Sequence, residues 1–234
     1  MDTRDTNNLI SHQARAEQIL TAAAELIARF GYKRVTMDDI ATQADIGRST
    51  IYQYWNTREA LYNAVIEREF LAVIDEILAA IRRDPKEALL HRVVRTEFLA
   101  VMRSPILRAI FTADTRMLGK LSRGGVDKAL EAHKNIIFRE LLTQHGLLRD
   151  DITSAELDHA LTATVIGFFL AGSFDGDQEQ FDLERQADLL TTTVQRAFEV
   201  EAAPEAIQAA APKVIEFFTG ISEDIQALLR QAYE

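Results

Sequence analysis

The sequence predicts an all-helical protein. Apolar residues recur at spacings of three and four along almost all of the 234 residues, and no stretch sustains a period of two. Helix-breaking residues are few, since the chain holds only 4 Pro and 10 Gly. Breaks in the pattern divide the chain into a three-helix unit over residues 1–62 and a larger helical body over residues 63–234. We expect one long helix to join the two.

Composition narrows the class of protein. With 47% apolar and 26% charged residues, the chain has the composition of a soluble globular protein. The absence of cysteine excludes disulfides, thiolate zinc sites and thiol catalysis. No apolar run approaches the ~18 residues that a membrane span needs. The segment MDTRDTNNLISHQ lacks the pattern of a signal peptide, so we expect a cytoplasmic protein without a membrane partner.

The net charge of −10 is unevenly distributed. Residues 1–62 carry seven basic and eight acidic side chains, so this unit is nearly neutral at −1 and the body holds the remaining −9. Such acidity excludes a protein that coats nucleic acid nonspecifically. Any polyanionic partner is expected to meet the first quarter of the chain.

Local signals place three helices in the first unit. The first carries an apolar stripe and should end at Gly31, where glycine can adopt a left-handed conformation; the stripe is Ile19, Ala22, Ala23, Leu26, Ile27 and Phe30. Thr36 and Asp39 form a capping-box variant that opens a second helix, which runs to about Ala44. The turn 45–47 breaks it, and a third helix is expected over 48–55.

The fourth helix should run from about Thr57 to Arg82, which at 1.5 Å per residue is nearly 40 Å long. After this helix, Pro85 and Pro105 each stand where a new helix can begin, since proline is favoured in the first turn of a helix. We expect further helices at about 85–103, 105–117, 126–144, 154–171 and 182–199. A last segment begins near Pro204, is interrupted by Pro212 and carries an apolar face through Val214–Tyr233, which could either extend a dimer or cover the core.

The second and third helices, joined by a three-residue turn, predict a helix-turn-helix. Ile51 and Trp55 fall on the inner face of the third helix. The outer face and its edges hold side chains that can bind phosphates and base edges, namely Arg48, Ser49, Thr50, Tyr52, Gln53 and Tyr54. Within Arg48–Tyr54 there is no Asp or Glu, as expected of a surface that meets DNA.

Over Ala14–Val65 the sequence resembles the TetR family of bacterial transcriptional regulators. The segments that carry the resemblance keep the family's order and spacing; they are Phe30-Gly31-Tyr32, Thr36-Met37-Asp38-Asp39-Ile40-Ala41, Thr50-Ile51-Tyr52-Gln53-Tyr54-Trp55 and Thr57-Arg58-Glu59-Ala60-Leu61. The resemblance implies a repressor that responds to a small-molecule effector and binds a palindromic double-stranded DNA operator as a homodimer. It also implies that the Arg48–Tyr54 helix enters the major groove.

The resemblance assigns roles position by position. Thr36 would contact phosphate at the start of the second helix, and Arg58 stands where the family usually has a phosphate-binding lysine. The base-reading positions would be Arg48, Ser49 and Thr50, and contacts to phosphate, sugar or thymine methyls would come from Tyr52, Gln53 and Tyr54. Asp45 and Gly47 depart from the family pattern, which has Gly and often Ser there, and Gly47 removes one hydroxyl from the surface.

Two helices of the body could form a homodimer interface. The family resemblance implies such a dimer, and the apolar stripes of the two segments are Leu157, Leu161, Val165 and Phe168 or Phe169, followed by Leu183, Ala187, Leu190, Val194 and Phe198. Paired with their symmetry mates, these helices could form a four-helix interface. We favour the dimer interface, because a single recognition helix would bind DNA weakly whereas two can hold a palindromic site. The alternative is that both stripes fill the core of one chain.

The resemblance also implies a ligand-binding body, over about residues 87–144. Candidate apolar ligand contacts are Phe98, Met102, Phe111, Met117, Leu121, Phe138 and Phe168 or Phe169, with His133 as a polar contact. Other possible polar anchors are Arg95, Glu97, Arg116 and Asn135. We expect ligand binding to change the separation of the two DNA-binding units through the long fourth helix.

Enzymatic functions have little support. Glu156 and His159 form one Glu-x-x-His motif, which di-metal bundles need twice. Walker, dinucleotide-binding, zinc-protease and esterase motifs are absent from the sequence. We therefore expect no catalytic residue, metal or cofactor. The remaining alternative is an all-helical small-molecule carrier that does not bind DNA.

Overall fold

The computed structural model describes residues 3–112, 136–174 and 181–231 and confirms the all-helical fold. The described α-helices are α1 (Thr3–Phe30), α2 (Met37–Gln43), α3 (Arg48–Tyr54), α4 (Arg58–Arg83), α5 (Leu90–Arg103), α6 (Pro105–Phe111), α7 (Ile136–Gln144), α8 (Ser154–Phe174), α9 (Leu183–Phe198) and α10 (Pro204–Gln231). A 3₁₀ turn over Pro85–Ala88 precedes α5. No helix of the described ranges is long and apolar enough to cross a membrane.

The first three helices form a compact head around a shared core. Ile19 of α1, Ile40 of α2 and Ile51 of α3 are completely buried. Gly31 has a φ of 77°, which confirms the expected left-handed end of α1. Asp45, in the turn between α2 and α3, also has a positive φ, of 49°, a conformation that Asp tolerates better than most residues. These backbone features set α3 across α2.

Helix α4 runs from the head into the body. Its N-cap is Thr57, whose hydroxyl accepts a hydrogen bond from the Ala60 N–H at 3.0 Å. The helix has 26 residues, or about 39 Å at 1.5 Å per residue, as the sequence predicted. In the body it packs against α5 and α10, and in the head it packs against α1. It therefore belongs to the cores of both units.

Helix α10 covers the core of its own chain. Val214 and Phe218 are buried, so the part of 214–233 that the structure describes packs inward. The expected interruption at Pro212 was wrong, because α10 is continuous through it. Pro212 itself is exposed, and burial of Ala211 and Val214 on either side holds the helix together despite the missing N–H.

The expected dimer stripes lie in the core of a single chain. Eight residues of the two stripes are 5% exposed or less, namely Leu157, Leu161, Val165, Phe169, Ala187, Leu190, Val194 and Phe198. The other two, Phe168 and Leu183, are half-buried against the same core. The preferred assignment of these stripes to a dimer interface was therefore wrong, because they are buried within one chain.

Candidate nucleic-acid interface and ligand cavity

Helix α3 presents a polar outer face. Ile51 is fully buried and fixes the rotation of the helix, which leaves its opposite side in solvent. The predicted contact residues on that side are exposed (Arg48, Ser49, Tyr52 and Gln53) or half-buried (Thr50). The structure thus brings these five predicted residues together on one accessible surface, which we call the reading face.

Arg48 is held in place on the reading face. Its Nη1 donates to Asp38 Oδ2 of α2 at 2.9 Å, and its Nη2 donates to the Tyr52 hydroxyl at 3.3 Å. The Tyr52 hydrogen bond and the neighbouring Asp38 charge raise the pKa of Arg48 above its ordinary value. The guanidinium therefore stays charged and is oriented between two helices before any DNA is present.

Thr36 and Asp39 form the expected capping box at the start of α2. The Asp39 N–H donates to Thr36 Oγ1 at 3.2 Å, while the Thr36 N–H and hydroxyl donate to Asp39 Oδ2 at 2.8 and 2.7 Å. These hydrogen bonds lower the pKa of Asp39. Because the hydroxyl proton of Thr36 is used in the cap, a phosphate contact from this side chain would have to redirect it.

Arg58 and Tyr54 are more deeply packed than the reading face. Arg58 Nη1 donates to the Val35 carbonyl at 3.2 Å, and its guanidinium lies 4.4 Å from the Tyr32 ring centroid. Tyr54 is buried, and its hydroxyl donates to the His12 carbonyl at 3.3 Å. Both residues therefore stabilise the head.

The body contains a cavity of about 400 Å³ between α4, α5, α7, α8 and α10. Its walls are mostly apolar and include Ile66, Phe70, Val73, Ile74, Ile77, Leu90, Val93, Val94, Phe138, Leu161, Val165, Phe218, Ile221, Ile225 and Leu228. The polar side chains along it are Asn63, Glu67, Glu97, Arg139 and Thr162. An apolar cavity with a few polar groups is the usual form of a small-molecule site.

Arg139 separates the cavity from a polar cleft. It is only 7% exposed and forms an ion pair with Asp158 of α8. Burial lowers the pKa of Arg139, and the charge of Asp158 opposes this effect. Both residues also line the neighbouring cleft, where α7 meets the start of α8. Asp158 thus compensates the charge of Arg139 at the boundary between the cavity and the cleft.

Three of the aromatic residues predicted to bind a ligand, Phe98, Phe111 and Phe169, form a cluster next to this cavity. The ring centroid of Phe169 lies 5.2 Å from that of Phe98 and 4.5 Å from that of Phe111. The centroid of Phe111 in turn lies 6.3 Å from that of Phe70, a residue that lines the cavity. Met102 and Phe168 are half-buried against the core. The candidates Arg116, Met117, Leu121, His133 and Asn135 lie outside the described residues. The ligand-binding role of these residues stays a prediction.

Sequence reasoning missed most of the cavity wall. Of its candidates, Phe138 and Glu97 do line the cavity, whereas Arg95 pairs with Glu184 and Asp188 of α9 at the surface. The missed walls come from α4 and α10. Their signal was present as four-residue spacing of apolar side chains, for example Ile66, Phe70 and Ile74. That spacing cannot tell a filled core from an open cavity.

The Glu-x-x-His motif has a structural role in the protein. Glu156 Oε2 accepts hydrogen bonds from the N–H and the hydroxyl of Thr153 at 2.8 and 2.7 Å, which caps α8. His159 is exposed one turn further along the helix. Within the described ranges, no cluster of three or more His, Asp or Glu side chains could hold a metal ion.

Comparison with known proteins identifies the head. Residues 19–65 match the sequence model of bacterial regulatory proteins of the tetR family. The chain is 30% identical over 76 residues to the HTH-type transcriptional activator FasR of Mycolicibacterium smegmatis, which is 32% of this chain and 33% of that protein. It is 29% identical over 65 residues to the DNA-binding transcriptional repressor TetR of Mycobacteroides abscessus, or 28% and 34% of the two chains. The chain thus aligns with only about a third of each of these relatives.

Solved structures share the fold across most of the chain. The fatty acid degradation regulator FadR from Bacillus halodurans aligns with a TM-score of 0.60 at 18% identity, covering 78% of this chain and 95% of that one. FadR from Bacillus subtilis in complex with stearoyl-CoA gives a TM-score of 0.58 at 17% identity, covering 76% and 96%. The SmeT–triclosan complex gives 0.59 at 22% identity, covering 80% and 93%. The likeness extends through the helical body as well as the head.

Proposed function

Because this chain is a member of the tetR family of bacterial regulatory proteins through its N-terminal head, we propose that it is a ligand-responsive transcriptional regulator. In this proposal the protein acts as a homodimer and inserts the Arg48–Tyr54 helix into the major groove of a palindromic operator. Repression is the expected mode. The named relatives include both an activator and a repressor.

The reading face is the observation that carries the proposal. Arg48 and Gln53 are exposed on the same side of α3, while Ile51 anchors the other side. Arg can pair bidentately with guanine and Gln with adenine. Thr36 and Arg58 are proposed phosphate contacts, Ser49 and Thr50 are further proposed base readers, and Tyr52 is a proposed contact to phosphate, sugar or a thymine methyl. The burial of Tyr54 favours a role in supporting α3.

Helix α8 supports the proposal of a homodimer. Its buried stripe is used within the chain, yet its opposite side is also apolar or small; Ala155, Ala163, Gly167 and Ala171 are exposed there and Ile166 and Leu170 are half-buried. A side chain added at Gly167 would meet nothing within 4 Å, so a partner helix can approach closely. We propose that a second copy covers this face.

Helix α4 provides the proposed link between ligand and DNA. Its residues from Asn63 to Ile77 line the cavity, and its first turn carries Arg58, which packs against the head. A ligand that fits the cavity better in one position of α4 will favour that position of the head. Coupling between the sites then requires no contact between effector and DNA.

Selection of bound sequences from a pool of random duplex DNA tests this function. We expect enrichment of a palindrome with half-sites about one helical turn (~34 Å) or a multiple apart. Arg48→Ala and Gln53→Ala should each reduce the ratio of operator to random-DNA affinity by about 10- to 100-fold. Exposed Gln195 of α9 offers the matched control Gln195→Ala. No enrichment of any sequence would favour the small-molecule carrier instead.

Sedimentation equilibrium tests the homodimer. We expect a dimer for the natural chain and a monomer for Ala163→Glu, since a carboxylate would be buried against its symmetry mate. Thermal unfolding should show that the variant still folds, because Ala163 is exposed within one chain. A dimer that persists in this variant would contradict the proposed use of the α8 face.

A further inference from the structure

Helix α1 extends beyond the segment that matches the family. It begins at Thr3, whereas the match begins at residue 19. The C-terminal end of α3 packs against this extension. The Tyr54 ring is stacked on His12 with 4.4 Å between the ring centroids, and the Tyr54 hydroxyl donates to the His12 carbonyl at 3.3 Å. The extension of α1 therefore has a fixed place beside the proposed major-groove helix.

Arg15 lies on this part of α1 and is exposed. It follows His12 by three residues, and side chains at that spacing are neighbours on a helix surface. Burial raises the pKa of Tyr54, and the positive charge of Arg15 opposes this effect, as expected of a guanidinium close to the ring. Arg15 thus places a positive charge beside the C-terminal end of α3.

The acidic neighbour of Arg15 on α1 faces another way. Glu17 lies two residues further on, which is about 200° around the helix axis. Its carboxylate Oε2 is 3.7 Å from Nη1 of Arg68 on α4. Because Glu17 is directed towards α4, its charge does not cover the surface on which Arg15 is exposed.

We infer that Arg15 binds a backbone phosphate of the operator at the C-terminal end of α3, so that α1 meets the DNA as well as α3. This inference rests on the proposed function and adds a contact to the proposed interface. In helix-turn-helix complexes the recognition helix lies in the major groove while another helix of the motif crosses the backbone. An arginine beside the end of the recognition helix can reach the phosphates that border the groove, and its planar guanidinium can bind two phosphate oxygens at once.

Tyr54 is less suited to a phosphate contact at this end of α3. Its side chain is 7% exposed, and its hydroxyl donates to the His12 carbonyl. A phosphate would have to draw this proton away and weaken the bond that joins α3 to α1. The guanidinium of Arg15 is exposed and offers five N–H donors, so it can bind phosphate without disturbing that bond.

The salt dependence of DNA binding tests the charge of Arg15. Fluorescence anisotropy measures the affinities for the selected operator and for a random duplex of the same length at several salt concentrations. We expect Arg15→Ala to weaken binding to both duplexes by about tenfold and to leave their ratio unchanged, because a phosphate contact carries no sequence information. The slope of log affinity against log salt should flatten by about one counterion for each protomer.

Matched variants separate the charge from other effects. Arg15→Lys should restore the slope, and Arg15→Gln, which keeps a long polar side chain, should behave as Arg15→Ala does. Arg82→Ala is the control, because Arg82 is an exposed arginine in the last turn of α4, at the opposite end from the head. Thermal unfolding verifies that each variant folds. A slope that is unaltered in both Arg15→Ala and Arg15→Gln would overturn the inference.

Neutral methylphosphonate linkages, placed one at a time along the operator, locate the contact. We expect one position in each half-site at which the neutral linkage weakens binding of the natural chain about threefold or more and leaves binding of Arg15→Ala unchanged. Tyr54→Phe should remain sensitive at that position. An equal response of the natural chain and Arg15→Ala at every position would overturn the inference, even if the salt slope had flattened.

These measurements also distinguish the inference from the function on which it rests. If the natural chain binds neither selected nor random DNA, the proposed function is wrong and the inference falls with it. If the natural chain binds its operator and Arg15→Ala binds equally well with the same salt slope, the inference alone is wrong and the reading face on α3 is unaffected.

Discussion

Asp38 of α2 and Arg48 of α3 form an ion pair across the helix-turn-helix, with 2.9 Å between Oδ2 and Nη1. Both side chains are largely exposed, so the pair contributes little to folding. Its effect is on orientation, because it directs the guanidinium of the proposed base-reading residue before DNA arrives. Asp38 also places a negative charge at the edge of the reading face.

Asp38→Asn should therefore lower the sequence discrimination of the head. Without the ion pair, Arg48 can turn towards phosphates, and the loss of a negative charge strengthens binding to any duplex. We expect the ratio of operator to random-DNA affinity to fall about threefold to tenfold, less than for loss of the base contact itself. Anisotropy titrations with both duplexes measure the ratio. Asp75→Asn, an exposed carboxylate on α4, is the control, and an unchanged ratio in Asp38→Asn would contradict the orienting role.

The head could be predicted from sequence because its signals are local. Three features each depend on a few neighbouring residues: the cap at Thr36, the left-handed conformation of Gly31, and the burial of Ile51, which determines the side of α3 that faces the core. The relation between Asp38 and Arg48 could not be predicted in this way. It depends on how the turn at Asp45 sets one helix against the other.

The body was predicted less well because its patterns are satisfied by several packings. The stripe containing Leu161 and Val165 can face either its own core or a second chain, and the sequence is the same in both cases. The ring centroids of Phe98 and Phe169 lie 5.2 Å apart, so these two predicted ligand contacts pack on each other beside the cavity. The cavity arises where the side chains of five helices leave a gap between them. The sequence of one helix cannot predict such a gap, because it depends on how all five pack together.

Arg58 is predicted to affect both stability and DNA binding. Arg58→Ala removes the hydrogen bond to Val35 and the stacking on Tyr32, which should lower the free energy of unfolding by about 1–2 kcal/mol. Urea denaturation measures this loss. If Arg58 also contacts phosphate, binding to all duplexes will weaken and the salt dependence will flatten by about one counterion.

Arg58→Lys separates the two roles of this residue. Lysine keeps the positive charge but cannot reproduce the planar stack on Tyr32. We expect the stability loss to remain in part, while the slope of log affinity against log salt returns to that of the natural chain. If Arg58→Ala leaves the slope unaltered, the residue is structural and makes no phosphate contact.

The capping box of α2 predicts an acid-sensitive contribution to the stability of the head. Hydrogen bonds from Thr36 lower the pKa of Asp39 in the folded protein. The stabilisation is therefore complete above the ordinary carboxyl pKa of about 3.9 and is lost as the pH falls through the lower folded-state value. Asp39→Asn should thus be less stable than the natural chain at neutral pH, with the difference vanishing in acid.

Urea unfolding at a series of pH values from neutral to acid measures this effect, with Asp75→Asn as the control. Thr36→Ala removes the other half of the box and should cost about 1 kcal/mol at neutral pH. A stability difference between Asp39→Asn and the natural chain that stays constant down to the lowest pH would contradict the role of the carboxylate charge.

A buried pair joins the start of α5 to the end of α9. Glu199 accepts from the His91 backbone N–H at 2.8 Å and lies 2.5 Å from His91 Nδ1, and the two side chains are 6% and 5% exposed. Arg92 Nε donates to His91 Nε2 at 3.2 Å, so the ring proton lies on Nδ1 and points to Glu199.

Removal of this acceptor should be costly because two buried donors lose their partner. We expect Glu199→Ala to lower the free energy of unfolding by about 2–4 kcal/mol. Glu199→Gln keeps one acceptor oxygen and should lose less. Glu201→Ala, two residues further on and exposed, is the matched control for urea denaturation followed by circular dichroism. If Glu199→Ala is as stable as Glu201→Ala, the pair does not hold α5 to α9, and contacts such as that of Arg95 with Glu184 must carry this junction instead.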